Sequence, residues 1–123
     1  MLKRILPLAV AAALALVVAA SALSKSSVTT LKGTVGPGFT ITLTKGGKKI
    51  TSLKAGKYKF VVADKSDIHG FTLEQEKGGT FEKDITPVSG MGTKTATITL
   101  KKGSWKFYCP PHESSMHGEF KVT

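Results

Sequence analysis

The run Lys102-Gly103-Ser104-Trp105-Lys106-Phe107-Tyr108-Cys109-Pro110-Pro111-His112-Glu113-Ser114-Ser115-Met116-His117-Gly118-Glu119-Phe120-Lys121-Val122 reads as two strands joined by a short loop. Trp105, Phe107 and Cys109 fall on alternate positions, the period of a strand that buries one face. Phe120 and Val122 repeat that period after Gly118. Lys102-Gly103 supplies a turn before the first strand. Pro110 and Pro111 end it, because proline has no N–H for a ladder.

The same alternation recurs upstream. Phe39 to Thr44 alternates apolar residues with threonine, and Gly46-Gly47 follows as a tight turn. Lys57 to Val62 reads as a strand after an Ala55-Gly56 turn. Ile68 to Gln75 reads as another, with His69, Phe71 and Leu73 on one face. Lys94 to Leu100 sets Ala96, Ile98 and Leu100 against threonines. No window beyond the N-terminus has a helical period. Short strands between glycine turns predict an all-β, Greek-key β-sandwich. If Trp105 and Phe107 face the core, so does Cys109 at its strand's end, and so does His69 beside Phe71.

The N-terminus reads differently. Lys3 and Arg4 precede an unbroken apolar run of 16 residues, Ile5 to Ala20, and Ala20-Ser21-Ala22 fits a small-x-small cleavage site. Residues 1–22 thus read as a secretory signal peptide, an apolar signal helix ahead of the domain. The run is shorter than the roughly 20 residues a spanning helix needs, which leaves an uncleaved anchor as the alternative. Residues 23–27 read as a short leader and 28–123 as one domain. The expected destination is a periplasm, the cell surface or the extracellular space. In an exported chain a lone cysteine makes no internal disulfide, so it is either a buried structural thiol or a ligand.

The formal charge is +10, unevenly spread. Residues 23–63 hold eight lysines and no acid, whereas residues 64–123 hold eight lysines and eight acids. Such an excess keeps a surface solvated or steers association with acidic surfaces. The chain has almost no arginine and no cluster of basic and aromatic residues, which argues against nucleic acid. It has no asparagine, hence no N-glycosylation acceptor.

Chemistry concentrates around Cys109. Two of the three histidines, His112 and His117, and one methionine, Met116, lie within eight residues of it, and His69 lies forty residues upstream. A thiolate, two imidazoles and a weak thioether are the donor set of a mononuclear copper electron-transfer site. Structural zinc takes four strong donors, and methionine is a poor fourth. A cysteine nucleophile activated by His112 would have two prolines between its partners and no obvious oxyanion loop. Three histidines are too few for a trinuclear copper centre. The chain reads as a binding protein, not an enzyme.

At these residues the chain resembles the cupredoxins, the small plastocyanin-like blue copper proteins. The resemblance runs through Ala55-Gly56-Lys57-Tyr58, Asp67-Ile68-His69-Gly70-Phe71, Val88-Ser89-Gly90-Met91-Gly92, the strand into Cys109 and the closing Gly118 to Val122. It implies one copper ion per chain, type 1 in character, held by His69, Cys109, His112 and Met116. In plastocyanins the methionine usually falls one residue later, where this chain has His117, so His117 is the alternative axial ligand. Many relatives carry Asn after the first ligand histidine to tie the ligand loops together, and Gly70 has no amide to offer. The resemblance also implies that the ring edge of His112 meets the surface inside an apolar rim, for which Pro37, Phe39, Met91 and Pro110 are candidates. The implied role is a monomeric carrier of single electrons between larger redox proteins. The lysine excess adds the expectation that those proteins have acidic surfaces. A carrier that delivers copper itself is the alternative, since the same donors serve both.

Overall fold

A computed structural model describes residues 27–123, so the signal segment and most of the leader lie outside the described residues. Among the described residues ten strands are arranged in two five-stranded sheets. One sheet has the order β3 (Lys48–Lys49), β2 (Ile41–Lys45), β1 (Thr29–Val35), β5 (Gly56–Asp64), β8 (Gly92–Leu100). The other has the order β4 (Ser52–Leu53), β10 (His117–Val122), β9 (Gly103–Tyr108), β6 (Phe71–Lys77), β7 (Glu82–Thr86). The architecture is the all-β Greek-key sandwich expected. Among the described residues the only helical element is a 3-10 turn at Pro110–His112, and no helix is long and apolar enough to cross a membrane.

The core is what the alternation selects. Leu31, Phe60, Val62, Leu73, Leu100 and Trp105 are buried between the sheets. Each such side chain contributes on the order of 1.5–3 kcal/mol through its removal from water. Phe71 stacks on Phe107 across neighbouring strands, with centroids 5.6 Å apart and planes 2° from parallel. Gly118 lies under the Phe107 ring, where a Cβ would come 2.2 Å from it. At Gly46-Gly47 both residues have positive φ, 56° and 78°, as a two-residue hairpin turn between β2 and β3 requires.

Strand direction gives the sandwich two distinct ends. β1 and β5 are parallel, and β2 and β8 run antiparallel to them. In the second sheet β6 and β10 both run antiparallel to β9. A Cβ on Gly36, just past β1, would lie 3.3 Å from the His69 ring, and the Gly70 N–H reaches Cys109. Hence β1, β5 and β9 all run toward the end that holds His69 and Cys109.

Several boundaries differ from expectation. The strand predicted from Phe39 begins at Ile41, and the one predicted from Ile68 begins at Phe71. Phe39, His69 and Gly70 therefore sit in loops. β1, β3, β4 and β7 carry no clear sequence signal. β7 is an edge strand with Glu82, Lys83 and Asp84 exposed, so only Ile85 and Thr86 anchor it.

Candidate metal centre

The site forms where β9 ends and the chain turns back into β10. Pro110 and Pro111 open the 3-10 turn, where a missing N–H costs nothing. The turn is closed by its own main chain: His112 N donates to Cys109 O at 3.0 Å, Met116 N to His112 O at 2.8 Å, and Cys109 N to Met116 O at 3.0 Å. The Lys106 ammonium pairs with the Glu113 carboxylate, clamping the loop to β9. Glu113 raises the Lys106 pKa above the ordinary lysine value, through that hydrogen bond first. His69 arrives from the other side, in the loop before β6. That loop is held by Phe71 N donating to the buried Thr86 hydroxyl at 2.9 Å.

Three donor atoms converge. Nδ1 of His69 and Nδ1 of His112 are 3.1 Å apart, and each is 3.7 Å from Cys109 Sγ. A point in their plane lies about 2.0 Å from all three, close to a metal–imidazole bond and slightly short of a metal–thiolate bond. His69 and Cys109 are fully buried and His112 is half-buried. Two imidazole nitrogens and a thiol sulfur facing one point, in a setting nearly closed to water, suit a metal ion that takes nitrogen and soft sulfur. Gly70 N donates to Sγ at 3.4 Å, whereas Pro110 and Pro111 have no N–H to offer it. His69 Nε2 is buried without a protein partner, so the ring is held by packing and by Nδ1.

The two axial candidates separate. Met116 is fully buried beside Cys109 in the core cluster. His117 is exposed, with its Nδ1 on the Glu113 carbonyl at 2.8 Å. It opens β10 with the outward parity of Glu119 and Lys121, opposite to Phe120 and Val122. His69, Cys109 and His112 are thus brought together, Met116 is enclosed next to them, and His117 points away.

One exposed apolar side chain stands against the half-buried His112. The exposed Phe39 stands edge-on to His69 and His112, with centroids 5.2 and 4.9 Å away. Met91 is 62% exposed, and Pro37 and Pro110 are exposed as well. Tyr108, next to Cys109, donates a hydrogen bond from its hydroxyl to Glu82 Oε1 at 2.9 Å. Burial first, and then that carboxylate, push the phenol well above its usual pKa. Sequence reasoning passed over Thr86 and the Lys106–Glu113 clamp. Neither carries a motif, and only strand pairing reveals their position.

The sequence matches the copper-binding proteins of the plastocyanin/azurin family over residues 34–123. No curated protein sequence matches it. Among solved structures, the copper protein rusticyanin superposes with a TM-score of 0.57 at 15% identity, covering 76% of each chain. Rusticyanin from Thiobacillus ferrooxidans gives 0.53 at 19% identity, again over 76% of each chain. A variant of amicyanin in a Cu(I) form gives 0.50 at 11% identity, over 77% of this chain and 83% of that one. At such identities the superpositions establish the fold, and the family rests on the sequence match.

Proposed function

The chain belongs to the plastocyanin/azurin family of copper-binding proteins, the cupredoxins, and from that premise we propose that it carries single electrons between larger redox proteins. The observation that supports this most directly is the triangle of His69 Nδ1, His112 Nδ1 and Cys109 Sγ. Those three residues, together with Met116, would hold the copper ion. Copper in such a setting supplies a one-electron couple. The protein's own part is to hold the donors still. Cys109 and Met116 are tied by a main-chain bond, the two prolines stiffen the turn, and Lys106 holds Glu113. A frame that keeps its geometry in both oxidation states favours electron transfer over release of the ion.

Electrons pass at the half-buried His112 edge, and the rim of Phe39, Met91 and Pro110 is the contact made by partners. A small apolar contact of this kind suits short-lived complexes. The net positive charge attracts partners with acidic surfaces from a distance without orienting them on the His112 edge. Residues 1–22 act as an export signal, residues 23–27 as a leader, and the mature chain works as an exported monomer without enzymatic activity.

Visible absorption and EPR of the Cu(II)-loaded protein test the ligand set. Met116→Leu should raise the potential, because a weak donor to Cu(II) is lost, while His117→Ala should leave the spectrum unchanged. A displaced band in His117→Ala would transfer the axial role to His117.

A further inference from the structure

Lysines crowd the end of the sandwich farthest from His69 and Cys109. Lys45, Lys48 and Lys49 ring the β2–β3 hairpin, and Lys54 and Lys57 flank the start of β5. The second sheet adds Lys77 at the end of β6 and Lys121 near the end of β10, and Lys101 and Lys102 fill the β8–β9 turn. All nine are exposed. Among the described residues the only lysine in a salt bridge is Lys106, midway along β9. The carboxylates lie elsewhere: Glu74, Glu82 and Glu113 gather around Lys106 and Tyr108, and Asp67 sits two residues before His69. Glu76 and Glu119 are the counter-charges toward the lysine end, lining one hollow with Lys77 and Lys121. A shallow hollow there is lined by Thr29, Lys45, Ser52, Lys54 and Tyr58.

This end has nothing to do with electron exchange at His112. Strands of seven to nine residues at about 3.3 Å per residue separate it from the donor atoms by roughly 25 Å. It is also where the chain enters: β1 starts here at Thr29, so whatever precedes β1, including the apolar run Ile5 to Ala20, joins the domain at this end.

We propose that the lysine end is a membrane-facing surface that rests on anionic lipid headgroups and directs the copper site away from the bilayer. The lysines come from both sheets and surround the end, a distribution that matches an extended anionic plane. An acidic redox protein bound there would be held far from the copper. Each lysine near an anionic leaflet strengthens association about fivefold, an effect that fades within a Debye length. An apolar segment entering at the same place would add a second, independent attachment. The lysine surface operates with or without that segment, and independently of the electron-transfer reading.

The test is lysine footprinting of the full chain with an amine-acetylating reagent and mass spectrometry. The chain is incubated with phosphatidylcholine vesicles, with or without added phosphatidylglycerol. On anionic vesicles Lys48, Lys54 and Lys101 should lose reactivity on the order of fivefold or more, and added salt should restore it. Lys65 and Lys94, toward the copper end, should react equally on both vesicles. In Lys48→Glu/Lys49→Glu/Lys54→Glu, whose changes are all at exposed positions, the lipid-dependent protection of Lys101 should disappear, while Lys65→Glu/Lys94→Glu should retain it. Equal reactivity of the basal lysines on both vesicles, or equal protection of Lys65 and Lys94, overturns the proposal. Protection by an acidic protein but not by anionic lipid overturns it as well.

Discussion

Replacing Gly70 with Asn should weaken the protein and disturb its copper site, although relatives with Asn at this position use it to tie their ligand loops. A Cβ at Gly70 would lie 3.0 Å from the Thr86 carbonyl oxygen, 3.1 Å from Val88 N and 3.2 Å from Val88 Cγ2. Two of these neighbours are main chain, and Thr86 is held by its bond from Phe71 N, so they yield only at the expense of the loop. Overpacking of this kind costs about 1–3 kcal/mol, offset by about 0.8 kcal/mol for burying one methyl group. Alanine should therefore cost up to about 2 kcal/mol. Asparagine adds a buried amide without an evident partner, worth about 1–3 kcal/mol more, so it should cost about 1–5 kcal/mol in all. At about 4–8 °C per kcal/mol for a domain of this size, the copper-free variant should melt at least about 5 °C below wild type. Displacing residue 70 also lengthens its N–H bond to Cys109 Sγ. Less hydrogen bonding leaves more electron density on the sulfur, favours Cu(II) and lowers the potential. Thermal unfolding of the copper-free form reads the first effect, and voltammetry of the copper form reads the second. A Gly70→Asn protein as stable as wild type, with an unchanged potential, would refute the reasoning.

Copper binds the folded state, so a thousandfold excess over its dissociation constant should stabilise wild type by about 4 kcal/mol; Cys109→Ala should lose both the thiolate-to-copper band and most of that shift, and equal melting shifts in the two proteins would count against the site. Tyr108 makes a pH prediction: its folded pKa is raised by burial and by Glu82, so its contribution is fully present below its unfolded value of about 10 and declines as pH rises beyond that. Urea midpoints of wild type should accordingly fall more steeply than those of Tyr108→Phe between about pH 9 and 11, and parallel slopes would contradict the assignment.

Strands that alternate apolar and polar residues cleanly were legible from sequence, and the others were not, for physical reasons. β8 turns Ala96, Ile98 and Leu100 inward and β9 buries Trp105 and Phe107, and both read correctly to within about two residues, the usual scatter of strand ends. β1 also alternates, with Leu31, Gly33 and Val35 inward, but a glycine in an inward position weakens the pattern. Packing across the sheets demands that glycine: a Cβ at Gly33 would lie 3.0 Å from both Phe71 and Val62. β7 was invisible because an edge strand can carry exposed charges along most of its length. β3 and β4 have two residues each and exist only through their neighbours.

The donor set was legible because its members are rare in this chain, but convergence depends on the fold. Nothing local brings His69 to Cys109. They meet because β6 and β9 are neighbours, with Thr72 opposite Tyr108, so the residues just outside that pair reach the same end. The resemblance offered Phe39 for the rim at His112, and its seating against both imidazoles depends on the β1–β2 connection folding over the site, which periodicity alone does not show. The orientation of residue 117, by contrast, could have been read in advance. Phe120 and Val122 must face the core, so period two sends Gly118 inward and His117 outward, and the same step places Met116 on the side of Cys109. Parity along β10 therefore separates the two axial candidates where spacing to the cysteine cannot. The same inward parity accounts for Gly118: a Cβ there would run into the Phe107 ring, so that ring or β10 would have to shift.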